Sequence, residues 1–240
     1  FIGALFAGFV GGYIVILLKK ICSYLPDSIE GIKTILLYPV FGILLMGAFM
    51  LLINPYVGAI NTAINNYLSS MGTANKVVLG AILGGMMAID LGGPINKAAY
   101  TFGTGMLAEG HYEIMAAVMI GGMVAPLAIA ILATFFPKKI PKKERQAGLL
   151  NYVMGLSFIS EGAIPFASAD PIRVLPSCIV GSAVSGALSM AFNCTLMAPH
   201  GGIFVLPLIG NWFWYVVALA IGSVIAMGIM AALKKNVWEK

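Results

Sequence analysis

The chain has 240 residues, of which 60% are hydrophobic and only 10% charged, with a mean hydropathy of +0.97. A water-soluble surface needs roughly 25% charged residues, so a soluble globular domain is excluded and an integral membrane protein is expected. The net charge of +5 does not point to nucleic acid, because the lysines lie in short clusters beside apolar runs, the pattern that orients a protein in a bilayer.

The sequence opens at Phe1 inside an apolar run, with no initiator methionine, basic n-region or small-residue cleavage site. A fragment lacking its N-terminal portion is therefore expected. Residues 1–18 read as a spanning helix whose Gly3, Ala4, Ala7, Gly8, Gly11 and Gly12 allow another helix to approach closely. Lys19 and Lys20 end it, a polar loop runs through Leu25, Pro26, Asp27 and Glu30 to Lys33, and residues 34–53 return across the membrane to stop at Asn54 and Pro55. In residues 56–70, Val57, Ile60, Ile64 and Leu68 recur at helical spacing against Asn61, Asn65 and Asn66. That pattern predicts an amphipathic helix lying at the interface.

Residues 77–89 are apolar for only 13 positions, about 20 Å of helix, too short for a hydrocarbon core of about 30 Å. They halt at Asp90, Leu91, Gly92, Gly93 and Pro94, followed by Asn96, Lys97 and a second short apolar piece, residues 98–108. Two half-length helices joined at a Gly-Pro break describe a re-entrant hairpin. Residues 114–136 span, and a basic cluster follows: Lys138, Lys139, Lys142, Lys143 and Arg145. If this cluster and Lys19/Lys20 are both cytoplasmic, an even number of crossings separates them, and the first hairpin must enter and leave on one side. The same count to Lys234/Lys235, across spans 174–192 and 212–233, makes residues 149–171 a second hairpin with Glu161 at its tip. A third irregular piece, residues 195–208, holds Pro199, His200, Gly201, Gly202 and Pro207.

The expected fold is all-α: a polytopic membrane protein with about five spanning helices, an amphipathic interfacial helix and two re-entrant hairpins. No repeat or low-complexity linker divides it, so residues 1–240 are expected to be one membrane domain.

A charge in hydrocarbon costs at least about 2.5 kcal/mol, and such residues face a protein interior or a watery cavity. Glu161 is on that ground a site candidate, against the plainer readings of a quiet ion pair or an interfacial loop. Burial would raise its pKa toward accepting a hydroxyl proton. Around it stand Ser160; Asp90 and Asn96, with Lys97 as a neutralising partner for Asp90; and His200, either a sugar contact or a satisfied loop histidine. Carboxylate, amide and imidazole suit a sugar, whose hydroxyls both donate and accept. Asp170 and Arg173 read as a structural pair, and Tyr100, Phe102 and Phe166 as packing rather than a stacking platform. Cys22, Cys178 and Cys194 lack metal-ligand spacing and read as reduced buried thiols. With no GxxxxGK[ST] and no GxSxG, no metal or cofactor is expected.

MAIDLGGPINKAAYTFG (residues 87–103), NYVMGLSFISEGAIPFASADPIRVLPS (151–177) and APHGGIFVLP (198–207) closely resemble the fructose-specific IIC membrane component (EIIC) of the bacterial phosphoenolpyruvate-dependent sugar phosphotransferase system (PTS). The resemblance runs through nearly the whole chain, with the motifs in the family's order. Ser160 departs from it where threonine is common, and keeps the hydroxyl. What it implies is a permease of the bacterial cytoplasmic (inner) membrane that imports fructose or a related hexose while a phosphocysteine on the partner IIB domain phosphorylates it, giving fructose 1-phosphate. It further implies phosphoryl supply through IIA, HPr and enzyme I, a homodimer, and contact of sugar with Glu161 and His200. None of the three cysteines resembles the phosphorylated one. From the residues alone an ion-coupled secondary sugar transporter, with Glu161 as its proton site, stays open beside this.

Overall fold

A long uncharged run in a bilayer leaves each peptide group no polar partner but its own chain, and a helix satisfies all of them internally. The computed structural model describes residues 2–26, 29–70 and 76–237. It is built almost wholly of helices, in two units, Phe1–Asn66 and Tyr67–Lys240.

The first unit holds α1 (Ile2–Cys22), a short turn α2 (Glu30–Ile32) that continues through a wider π turn (Lys33–Leu37), and most of α3 (Tyr38–Ser70). Where Gly11 of α1 faces Met46 of α3, a Cβ would lie 3.3 Å from the methionine methyl. Buried Lys33 closes the connection by pairing with Glu30 at 2.9 Å and donating to the Leu25 carbonyl at 3.0 Å. The stop expected at Asn54 and Pro55 is not made. α3 runs on through Pro55 for 33 residues, so the helix expected at the interface is continuous with the second span, whose apolar stretch ends at Ala59. Proline removes one hydrogen bond, and membrane helices tolerate it where the turns on either side stay intact. Phe1 and Asp27 lie outside the described residues, as do the side chains of Ile60, Asn61, Ile64, Asn65 and Leu68 on which the amphipathic reading rests.

The second unit is assembled around α6 (Tyr112–Phe135), nearly all of whose side chains from Ile114 to Ala133 are buried. Lipid tails are as apolar as leucine, so helices here associate through close backbone approach and hydrogen bonds between helices. The sequence supplies both. Gly80 and Gly84 of α4 (Lys76–Ile89) meet the backbone of Ser182 and Gly186 on α9 (Pro171–Ala191). Gly121 of α6 meets Gly84, and Gly181 of α9 meets Gly222 of α10 (Trp212–Leu233). Across the same seams the Ser182 hydroxyl donates to the Gly121 carbonyl at 2.8 Å, and Ser185 to the Ala218 carbonyl at 2.9 Å. Among the described residues, four helical stretches are long and apolar enough to cross a membrane: Glu30–Ala59, Tyr112–Phe135, Pro171–Ala191 and Trp212–Leu233. α1 adds a further helix of 21 residues.

Three broken segments interrupt these helices. α4 and α5 (Pro94–Ala108) form the first hairpin. α7 (Arg145–Leu156), a 3₁₀ turn (Ser160–Ala163) and α8 (Ile164–Ala169) form the second. The third is a loop pinned by a two-residue antiparallel ladder, Thr195 opposite Gly210 and Leu196 opposite Ile209. At one end of the unit Lys139 Nζ donates to the Lys234 carbonyl at 2.5 Å, and the Val237 N–H to the Lys138 carbonyl at 2.8 Å. The basic loop after α6 and the end of α10 thus share one end of the unit, the placement that an even number of crossings between them requires.

Candidate functional site

The turn between α4 and α5 is held by its own polar residues. Pro94 opens α5 and brings no N–H; the Asp90 carboxylate accepts the next two, from Ile95 at 2.6 Å and Asn96 at 2.9 Å. An acid at a helix N-terminus satisfies orphan donors and complements the dipole. Asn96, 1% exposed, donates its side-chain amide to the Met87 carbonyl at 2.7 Å and so joins the end of α4 to the start of α5. Both residues are candidates for sugar contact, and in the structure these hydrogen bonds also hold the turn.

Lys97 does not pair with Asp90, whose oxygens are already engaged. Its Nζ lies 3.6 Å from Glu161 Oε1 on the second hairpin. Beside this ion pair passes the backbone of Gly92, at φ +113°, where a Cβ would lie 2.7 Å from the same oxygen. Glu161 stands on the 3₁₀ turn, its side chain 47% exposed, while Ser160 before it is buried.

Behind the carboxylate, Gly162 packs against the amide of Asn151 on α7. Asn151 is buried, its Nδ2 donating to the Ala147 carbonyl at 3.2 Å, and its Oδ1 has no hydrogen-bond partner among the described residues. Asn151 is not among the residues singled out by sequence; its signal is an amide set among apolar residues in the second half of α7.

The third segment reaches the site through an aromatic side chain. Phe158, buried at 6% exposure and held at φ +62°, lies with its ring centroid 5.0 Å from that of exposed His200, tilted by 56°. Tyr100 of α5 also approaches this ring, at 6.3 Å between centroids. Gly202, at φ +59°, rests under the Leu156 to Phe158 turn, where a Cβ would lie 2.9 Å from the Phe158 nitrogen. A side chain at Gly202 would push the loop, and His200 with it, off that turn. Phe158 is the residue that joins all three segments, and its role rests on a positive φ that no sequence pattern reveals. Phe102 and Phe166 are buried as packing.

Asp170 and Arg173 pair as expected, at 3.1 Å, and a third member joins them: Lys234 Nζ, 3.1 Å from the other oxygen. Burial alone would raise the Asp170 pKa, but Lys234 and then Arg173 outweigh it and hold the carboxyl below its ordinary value. Among the described residues no group of three His, Cys, Asp or Glu gathers to hold a metal ion, and Cys22, Cys178 and Cys194 are free and buried.

Broken helices meeting at ionisable side chains within an all-helical membrane fold define a transport domain. The chain belongs to the phosphotransferase system EIIC family, whose family model, "Phosphotransferase system, EIIC", matches residues 1–181. It is 49% identical over 241 residues to the "PTS system fructose-specific EIIABC component" of Bacillus subtilis (strain 168), covering 100% of this chain and 38% of that protein. It is also 49% identical over 241 residues to the "Fructose permease IIC component" of Bacillus amyloliquefaciens, covering 100% and 79%. With the "PTS system fructose-specific EIIB'BC component" of Escherichia coli (strain K12) it shares 49% identity over 219 residues, 88% of this chain and 38% of that protein. The chain thus spans well under half of the first and third of these relatives. No solved structure matches it.

Proposed function

We propose that this chain is the sugar-translocating component of a fructose phosphotransferase permease in the bacterial cytoplasmic membrane. It imports fructose or a related hexose and presents it to a phosphocysteine on a IIB domain, itself supplied through IIA, HPr and enzyme I, and it works as a homodimer. A sugar hydroxyl attacks phosphorus, the oxygen–phosphorus bond forms, and the sulfur–phosphorus bond breaks with its electron pair leaving on sulfur. The hydroxyl proton passes to the Glu161 carboxylate, and the product is fructose 1-phosphate. His200, Ser160 and the turn built by Asp90 and Asn96 complete the sugar's surroundings.

The observation that carries this reading is the position of Glu161: half-exposed, ion-paired to Lys97 and pressed by the Gly92 backbone, where two broken segments meet. The names of the relatives support fructose as the sugar.

Glu161→Gln tests it, because the amide keeps the shape and loses the basicity. General-base contributions run to about 10²–10⁴-fold, so phosphorylation of fructose by phosphorylated IIB should fall by at least about 100-fold in a folded, inserted protein. Near-normal phosphorylation would sink the assignment. Uptake driven by an ion gradient without phosphorylated IIB would return the ion-coupled reading.

A further inference from the structure

Lys97 is the one charged side chain that the first hairpin sends to the second among the described ion pairs. Asp90 holds two backbone N–H groups at 2.6 and 2.9 Å, and the ammonium of Lys97 is instead turned to Glu161, at 3.6 Å. The pair is open. The two side chains are 37% and 47% exposed, so a ligand that reaches the carboxylate meets the ammonium as well.

We propose that Lys97 is a catalytic residue that binds the phosphoryl oxygens during transfer and holds the sugar phosphate product. This rests on the function proposed above. A carboxylate is a good acceptor for a hydroxyl proton but a poor neighbour for an arriving phosphoryl group, because both are anionic. With Lys97 beside it the pair carries no net charge and does not repel the donor. As the hydroxyl oxygen bonds to phosphorus and the electron pair of the sulfur–phosphorus bond leaves on sulfur, the hydroxyl proton moves to Glu161 and Lys97 keeps its own. The pair then carries one net positive charge, facing the phosphoryl oxygens. The attraction is thus stronger in the transition state and product than in the ground state, the only kind of interaction that speeds the chemical step. Free sugar meets a neutral pair and gains only hydrogen bonds.

The experiment measures equilibrium binding of labelled fructose and of fructose 1-phosphate to the full-length protein, together with turnover by phosphorylated IIB at saturating fructose. Lys97→Gln should weaken fructose 1-phosphate by about tenfold or more relative to fructose, and lower turnover by about 100-fold. Lys97→Arg, which keeps the charge, should restore most of the product affinity. Glu161→Gln supplies an arm that does not depend on the folding of a Lys97 variant. It leaves the ammonium uncompensated, so the preference for fructose 1-phosphate over fructose should rise by about tenfold above wild type. A preference unchanged in Glu161→Gln, or an equal loss of both sugars in Lys97→Gln, overturns the proposal and assigns Lys97 to the scaffold. Wild-type protein that binds neither sugar overturns the proposed function itself, and this role with it.

Discussion

Gly92, at the tip of the first hairpin, lies against the Glu161 carboxylate on the tip of the second, with room for no more than a hydrogen: a Cβ there would be 2.7 Å from Oε1 and 3.1 Å from Cγ. The position also has φ +113°, which side chains other than glycine rarely adopt. Gly92→Ala should therefore act twice, straining the turn by about 1–3 kcal/mol and displacing Glu161 from Lys97. We expect an inserted protein whose fructose phosphorylation falls by at least tenfold, because a displacement of about 1 Å at a reacting group is costly. Full phosphorylation in Gly92→Ala would mean that the two tips separate during turnover.

The order of spans and both hairpins was legible in the sequence because each rests on chain length against bilayer thickness and on the placing of lysines. α4 is 14 residues long and cannot cross alone. Glu161 was legible as a candidate for a related reason, since an acid in an apolar run is a site hypothesis by default. The partners of these residues were not legible. Asp90 and Lys97 look like an ion pair in sequence because opposite charges seven positions apart attract. In the fold, two unpaired N–H groups at the start of α5 reach the carboxylate first. The end of the second span at Pro55 was likewise misplaced, because a proline rule drawn from water-soluble helices overstates how often a membrane helix breaks. Phe158 stayed hidden because its importance comes from backbone torsion and three-way packing rather than residue type.

Asp170 gives the fold a definite acid response. Its carboxyl pKa is held below the ordinary value by Lys234 and Arg173 against the opposing effect of burial. A depressed folded-state pKa contributes stability that is fully present above the unfolded value of about 3.9 and is lost as pH falls through the folded value. Asp170→Asn should be less stable than wild type at pH 6 by about 1–3 kcal/mol, the usual size for a hydrogen-bonded charge. The gap should close below about pH 4. Thermal unfolding in detergent across this range reads it directly, and a gap that stays constant or widens toward acid would mean that the cluster contributes nothing through charge.

The shared end of α10 and the loop after α6 makes a topological prediction. Lys139 and Lys234 are joined there by a hydrogen bond, as are Lys138 and Val237, so the positive charges of both clusters should lie on the cytoplasmic side. The opposite end of α6 carries His111, whose Nδ1 is 3.9 Å from Glu113 Oε1. In a cysteine-free background, Lys142→Cys should react with a membrane-impermeant thiol reagent only after permeabilisation. His111→Cys should react in intact cells. Labelling of Lys142→Cys from outside would invert the domain and place the phosphoryl donor on the wrong face.

His200 is exposed at the junction, with the Phe158 ring 5.0 Å from its own, and Gly202 sets its loop against the turn that presents Phe158. An imidazole held in this way can hydrogen-bond a sugar hydroxyl with little loss of side-chain freedom on binding. Removing it would leave polar partners unpaired at a cost of about 1–3 kcal/mol, or a roughly 5-fold to 150-fold weakening of sugar affinity. His200→Ala should show that loss in equilibrium binding of fructose. Phe158→Leu keeps an apolar filler and removes the aromatic support, so it should weaken fructose in the same direction by a smaller factor. If His200→Ala binds fructose as wild type does, the histidine belongs to the scaffold. Glu161 must then share the sugar with Ser160 and Tyr100, or with Asp90 and Asn96 beyond the hydrogen bonds that they give the turn.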